Sequence, residues 1–534
     1  MTNPIDAKKE QEREELHRAI WSIADELRGA VDGWDFKNYV LGAMFYRYVS
    51  ENLANYVDDG EKETGDVDFD YSKLSDKDAE EACNDLVEAK GFFILPSQLF
   101  CNVCAKADQD ENLNETLEKV FQQIEGSALG SASQENLSGL FKDFDVNSPK
   151  LGATVAKRNE TLRKLLKKVG EMKLGDVKDH DIDAFGDAYE YLMAMYASNA
   201  GKSGGEFFTP ADVSELLVRL GTVGKTEIDK VYDPACGSGS LLLKTVKVLG
   251  KNSVRNGFFG QEINLTTYNL CRINMFLHDI DYVNFHIACD DTLTRPVDWE
   301  FDQPSFELIV SNPPYSIKWE GDDNPLLIND ERFSSAGVLA PKSKADLAFV
   351  MHSLAWLASN GAAAIVCFPG VMYRGGAEQK IRKYLVNENF VDAVIQLPNN
   401  LFFGTSIATC ILVLKRNKND SATLFVDASN ECVKVTNNNK LTPENIARIV
   451  DVYAKREDVP NFCRLVKYEE IRDADYNLSV SAYVELEDAR EFVDVRALNE
   501  EIAGIVSRED VLRKEIDAII QSIETKQERR TTLF

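Results

Sequence analysis

The sequence predicts an α/β fold: a Rossmann-like, mostly parallel sheet in the middle of the chain, with a helical domain before it and a helical extension after it. Three observations carry that expectation. From about Asp181 to Asn430, short apolar runs alternate with amphipathic helical stretches, the pattern of a parallel sheet covered on both faces. From about Leu16 to Leu174, and again near the C-terminus, apolar residues recur every three or four positions, the period of a helix face. A glycine-rich turn also stands between the first strand and the first helix of the middle region.

In chain order, Leu16, Ile20, Ile23 and Leu27 form one apolar stripe, and Val40, Met44 and Tyr48 form a second. The acidic, apolar-poor stretch Asp58–Glu81 reads as loop or loosely held helix. Ile228–Tyr232 is the first strand, leading through the glycine turn into the helix Leu241–Leu249. Phe258–Glu262 and His286–Cys289 follow as strands, then Phe306–Ser311, Ala362–Phe368, Val391–Leu397 and Ala408–Leu414, with helices at Asp346–Ala358 and Ala377–Glu388. The last two strands are separated by a short loop, which predicts an antiparallel edge. Near the end, Leu498, Ile502, Ile505, Leu512, Ile516, Ile519 and Ile523 alternate by four and three, a heptad seam broken only at Glu509. Such a seam suits either a terminal helix packed on its own domain or one that receives a partner. The resulting division is residues 1–175, 176–484 and 485–534.

Composition narrows the class. The 534 residues are too many for one core and suggest several units of about 150 residues each. A content of 44% hydrophobic and 28% charged residues is that of a soluble globular chain. There is no apolar run of membrane-spanning length and no apolar segment near Met1 to suggest a secretory signal, so no membrane association is expected. Ten cysteines scattered among apolar neighbours read as a reduced, cytoplasmic protein. Cys101 and Cys104 have C-x-x-C spacing but no second pair, and no metal site is expected. The formal net charge of −28 opposes long-range attraction to a phosphate backbone. Any nucleic-acid contact must then use a local basic face or a partner protein. The basic segment Lys150–Lys168 is either a solvated helix face or such a contact.

The turn Asp233-Pro234-Ala235-Cys236-Gly237-Ser238-Gly239-Ser240 permits close backbone approach to a ligand at Gly237 and Gly239. A dinucleotide fingerprint is not met, because its third glycine would fall on Leu242. Asp233 would repel a pyrophosphate, but it suits an ammonium such as that of a methionine moiety. Glu262, at the end of the second strand, is placed to accept from both hydroxyls of a ribose, whether of a nicotinamide cofactor or of S-adenosylmethionine. A third acid, Asp290 or Asp291, follows the third strand and is within reach of an adenine amino group.

The sharpest signal is Asn312-Pro313-Pro314-Tyr315 after an apolar strand. Two prolines stiffen the turn and leave its carbonyls outward. The Asn312 amide oxygen and the Pro313 carbonyl can both accept from one NH₂ group, localising a nitrogen lone pair that an aromatic ring would otherwise delocalise. A methyl group on a cationic sulfur can then be attacked directly, with positioning and electrostatics as the catalytic means. A target base inside a duplex must be flipped out first, and Phe207, Phe208 and Tyr315 offer aromatic faces for it.

At these residues the chain resembles the amino-methyltransferases. Upstream, Gly204-Gly205-Glu206-Phe207-Phe208-Thr209-Pro210 looks like that family's element over the methionine end of the cofactor, and the order of the motifs resembles the gamma-type adenine-N6 methyltransferases. The wider match is to the modification subunit of type I restriction-modification systems. It includes Asp183–Leu192, Lys344-Ala345-Asp346-Leu347-Ala348-Phe349, Asp475-Tyr476-Asn477-Leu478 and the helical flanks. The resemblance implies an S-adenosylmethionine-dependent methyltransferase domain. Its cofactor residues carry over to Glu206, Phe207, Phe208, Thr209, Pro210, Ala211, Asp233, Gly237, Ser238, Gly239, Ser240, Glu262 and Asp291. Asn312, Pro313, Pro314 and Tyr315 carry over as catalytic. Asp290 stands where the family usually has glycine, which leaves the third acid open between Asp290 and Asp291. The implied partners are a specificity subunit, a second modification subunit, a motor-nuclease restriction subunit and double-stranded DNA. Rival readings are a stand-alone DNA adenine methyltransferase, or a protein-glutamine or RNA amino-methyltransferase built on the same loop.

Overall fold

The structure, a computed structural model, describes residues 4–27, 33–173, 184–199, 209–250, 252–299, 305–402, 406–435, 438–485 and 495–531. Two compact units result, Met1–Glu485 and Leu486–Phe534.

Nine strands of the first unit form one sheet: β1 (Val231–Asp233), β2 (Phe258–Glu262), β3 (Phe285–Cys289), β4 (Phe306–Ser311), β5 (Leu357–Cys367), β6 (Val391–Gln396), β7 (Cys410–Lys415), β8 (Thr423–Asp427) and β9 (Cys463–Val466). Their order across the sheet is β9-β8-β6-β7-β5-β4-β1-β2-β3. From β3 to β5 every pairing is parallel. β7 runs antiparallel between β5 and β6, β8 is parallel to β6, and β9 closes the edge antiparallel to β8. Chain direction across the sheet reverses between β1 and β4, and the crevice at their carboxyl ends is where open α/β sheets bind ligands.

Alternation along the strands sends side chains to two cores. Val231, Leu308 and Val310 face one, while Tyr232 and Ile309 face the other, and a register shift before Leu308 puts Phe306 with the second. The first core is continuous with the N-terminal helices α1 (Pro4–Leu27), α2 (Gly33–Thr64), α3 (Leu113–Ser127) and α4 (Val155–Glu171). It also takes in α5 (Ala184–Asn199), α6 (Ala211–Gly221), α7 (Ser240–Leu249) and α8 (Leu265–Leu277). Arg272 of α8, almost wholly buried, donates to the carbonyls of Glu135 and Ser138 at 2.6 and 2.9 Å and so ties the N-terminal region to the sheet layer. The second core is covered by α9 (Asp346–Trp356) and α10 (Ala377–Asn387).

The structure corrects the sequence reading in two places and bears on a reading left open in a third. Val391–Gln396 and Cys410–Lys415 do pair antiparallel, but inside the sheet rather than at its edge, because β5 takes the far side of β7 and β8 the far side of β6. The acidic stretch expected as loop or loose helix begins inside α2, which runs to Thr64. It stays ordered past that point because Asp58 accepts from the Tyr71 amide at 2.7 Å and the Tyr71 hydroxyl donates to the Ile94 carbonyl at 2.9 Å. The basic segment lies on the exposed face of α4, where Lys157 and Lys164 pair with Glu160, Lys167 with Asp108 and Lys168 with Glu171, as the reading of a solvated helix face expects. Among the described residues, no helix is long and apolar enough to cross a membrane.

The second unit contains one long helix, α11 (Val495–Thr531). Its seam residues Leu498, Ile502, Ile505, Leu512, Ile516 and Ile519 are each exposed, between 47% and 58%.

Candidate active site

At the carboxyl ends of β1, β2 and β4 lies a cavity of about 320 Å³, the size of a small-ligand pocket. The sheet delivers its walls. β1 ends at Asp233, where Pro234 cannot donate to a strand ladder. The chain then turns through Gly237 and Gly239, at φ +54 and +80, into α7. A Cβ on Gly239 would sit 2.8 Å from the Cys271 sulfur, so this glycine lets the turn close against α8.

Asp233 lines the cavity, and its Oδ1 accepts from the Ala235 amide at 3.0 Å and the Ser311 hydroxyl at 2.8 Å. Its Oδ2 is buried without a hydrogen-bond partner. Burial, only partly offset by those hydrogen bonds, pushes the carboxyl up to about 7. An orphaned, desolvated carboxylate oxygen at a cavity wall is complementary to a cationic donor. Glu262 is fixed by accepting from the Gly237 amide at 3.1 Å and the Asn264 amide at 2.8 Å, and burial raises its carboxyl as well. Asp291 also lines the cavity, while Asp290 is held at 2.7 Å by Arg295.

Asn312 and Pro314 form the wall after β4. The Asn312 amide nitrogen donates to the Thr209 hydroxyl at 3.1 Å, joining two motifs 103 residues apart in sequence. Its Oδ1 accepts from the Tyr315 hydroxyl at 2.5 Å. The Tyr315 ring meets Phe402 edge-on at 6.5 Å, and burial raises its hydroxyl far above the usual range.

Of the residues marked by sequence, Thr209, Asp233, Gly237, Ser238, Ser240, Glu262, Asp291, Asn312 and Pro314 come together on the cavity. Pro210, Ala211, Gly239, Pro313 and Tyr315 are not on its wall. Pro210 and Ala211 open α6, Gly239 supports the turn from behind, and the Tyr315 ring packs inward with the first core. Glu206, Phe207 and Phe208 lie outside the described residues. The sequence reading missed Gln261, Ile263, Ile317, Lys318, Trp319 and Phe349 on the wall, and Phe402 behind Tyr315. Phe349 had a signal, since it ends the Lys344–Phe349 stretch; the others had none apart from their neighbours. Among the described residues no cluster of three or more His, Cys, Asp or Glu is placed to hold a metal.

A parallel sheet reversing direction at a glycine turn, acids after β1 and β2, and an Asn-Pro-Pro-Tyr turn after β4 together define a Rossmann-like methyltransferase. Residues 180–492 match the N-6 DNA Methylase family, and residues 16–169 match the HsdM N-terminal domain. The chain is 52% identical to the type I restriction enzyme MpnII methylase subunit of Mycoplasma pneumoniae, over 97% of this chain and 98% of that one. It is 31% identical to the MjaVIII methylase subunit of Methanocaldococcus jannaschii, over 90% of this chain and 79% of that one. The crystal structure of a type I restriction-modification methyltransferase subunit from Streptococcus thermophilus superposes with a TM-score of 0.80 at 36% identity, covering 89% of this chain and all (100%) of that one. The chain belongs to the methylase subunits of type I restriction enzymes, and it is an adenine-specific DNA methyltransferase.

Proposed function

We propose that this subunit transfers a methyl group from S-adenosylmethionine to the exocyclic N6 of an adenine flipped from duplex DNA, at sites chosen by a specificity subunit. The observation that carries the proposal is the convergence of Asn312 with Asp233, Glu262 and the glycine turn on one cavity. When bound, S-adenosylmethionine supplies an electrophilic methyl on a sulfonium. The chain's residues fit it: the partnerless Asp233 Oδ2 suits an ammonium, Glu262 suits ribose hydroxyls, and Gly237 leaves room for close backbone approach. Thr209, Pro210, Ala211, Ser238, Ser240 and Asp291, with Glu206, Phe207 and Phe208, complete the proposed cofactor set. Asn312 Oδ1 and the Pro313 carbonyl accept from the adenine amino group and localise its lone pair toward the methyl, while Pro314 stiffens the turn and the Tyr315 hydroxyl, rather than its inward-packed ring, serves the site by orienting the Asn312 amide. Methylome sequencing of DNA exposed to this subunit, with and without its specificity partner, tests the proposal. Adenine-N6 methylation at defined sites is expected only with the partner.

The Asp233 shift makes cofactor binding pH-dependent. A cation at Oδ2 favours the ionised carboxylate, so below about pH 7 binding must expel a proton. Affinity for sinefungin, a stable amino-containing analogue, is expected to rise from pH 5.5 to 7 and level off above. Calorimetry in two buffers of different ionisation enthalpy should show proton release only on the acidic side. For folding the sign is reversed: the native state holds this proton more tightly than the unfolded chain does. That stabilisation is complete below pH 3.8 and is lost as pH rises through about 7.

Residues 1–175, 176–484 and 485–534 are proposed as helical, catalytic and partner-docking regions, within an assembly of two modification subunits, one specificity subunit and restriction motor-nuclease subunits. With a net charge of −28, DNA affinity has to be supplied largely by such partners. Removing Leu498–Phe534 is expected to abolish co-purification with the specificity subunit while leaving the melting transition of the remainder intact, because both buried cores are drawn from residues 16–484. Assembly by the truncated chain would count against a docking role.

A further inference from the structure

Behind the cavity wall lies a buried guanidinium that neither the catalytic nor the cofactor motifs account for. Arg332 sits in the short helix Glu331–Ser334, and its side chain is 7% exposed. All five N–H donors of a guanidinium are used here. Nε donates to Asp330 Oδ1 at 3.0 Å, and Nη2 donates to Asp330 Oδ2 at 2.7 Å and to the Leu293 carbonyl at 2.8 Å. Nη1 donates to the Thr292 carbonyl at 2.8 Å and to His352 Nδ1 at 3.0 Å.

These contacts join three walls of the site. Thr292 and Leu293 line the cavity next to Asp291, and the Thr292 hydroxyl donates to the Pro234 carbonyl of the glycine turn at 2.6 Å. His352 lies on α9, one turn beyond Phe349, another wall residue. With Nδ1 accepting from Arg332, the imidazole proton resides on Nε2 and is donated to the Tyr232 hydroxyl at 2.9 Å. Tyr232 immediately precedes Asp233 on β1. Burial and the adjacent guanidinium hold His352 far below its ordinary range, so the link stays neutral and its tautomer fixed.

We infer that Arg332 is a positioning residue for the methyl donor: it pins the 291–293 wall and, through His352, the end of β1 at the separation the donor requires. The inference rests on the reading that this cavity holds S-adenosylmethionine. A planar fork meeting two carbonyls, a carboxylate and a ring nitrogen cannot be reproduced by an ammonium. Arg332→Lys leaves at least one buried carbonyl unpaired and frees the 291–293 wall to shift, and about a tenfold or greater loss of donor affinity is expected from the displaced wall.

The test uses the subunit assembled with its specificity partner and measures KM for S-adenosylmethionine, kcat at saturation and sinefungin binding. Arg332→Lys is expected to raise KM at least about tenfold with kcat within about threefold of the parent, because no reacting atom is touched. Asp330→Asn, at a partly exposed position where the amide oxygen still accepts from Arg332, weakens the guanidinium's anchor and should raise KM about threefold, which keeps the test intact if the lysine variant does not fold. Unchanged KM in folded Arg332→Lys or in Asp330→Asn, or a fall in kcat alone, overturns the inference. If the parent complex itself binds no sinefungin, it is the cofactor reading that fails instead.

Discussion

Asn312→Ala is expected to lower methyl transfer by about two to three orders of magnitude while cofactor affinity stays near that of the parent chain, the size of effect seen when one preorganised polar contact to a reacting group is removed. The wall loses both an acceptor and the donor to Thr209, but the glycine turn and Glu262 are held by contacts of their own, among them the Gly237 and Asn264 amides. Single-turnover transfer of a tritiated methyl group, run beside sinefungin calorimetry, separates the two quantities. Near-parental turnover in the variant would remove Asn312 from the mechanism. Loss of binding together with turnover would make it a scaffold residue.

Gly239→Val is expected to act on the opposite quantity. At φ +80 a β-branched residue is strained, and its Cβ would stand 2.8 Å from the Cys271 sulfur and 3.2 Å from the Met275 methyl. Relief requires the turn to lift off α8, and the backbone that the proposed cofactor lies against moves with it. Sinefungin affinity is therefore expected to fall at least about tenfold, the loss of about 1.4 kcal/mol of contact, and the melting temperature should drop with it. Gly239→Ala, with a smaller side chain at the same φ, should fall between valine and the parent. Unchanged affinity in the valine variant would mean that this turn does not shape the cofactor pocket.

The sequence was most readable where one local rule determines the outcome. Apolar runs bounded by turn residues located β2, β4 and β6 to within a residue, because a strand buried on both faces has little choice of composition, while β1 begins three residues later than read. The helix after the glycine turn was equally plain. The sheet order was not, since nothing in Val391–Leu397 or Ala408–Leu414 says which strand lies on the far side of each. β8 and β9 escaped notice because their partners are distant in sequence. The same limit governed the site. Asp233, Glu262 and Asn312 stand at strand ends, where chain order alone predicts convergence. Trp319, Phe349 and Arg332 reach the cavity or its backing only through the long connection from β4 to β5. Asp291 was separable from Asp290 only in three dimensions, where Arg295 draws the latter aside.

The hydroxyl of Tyr315 resting on the amide oxygen of Asn312 has a consequence for timing. At rest one of the two lone pairs of that oxygen is already engaged, and the ring that carries the hydroxyl is turned into the protein. Under the proposed mechanism an arriving amine meets an oxygen whose direction an internal donor has set beforehand, with its second lone pair still open, so the acceptor does not have to be turned into place after docking.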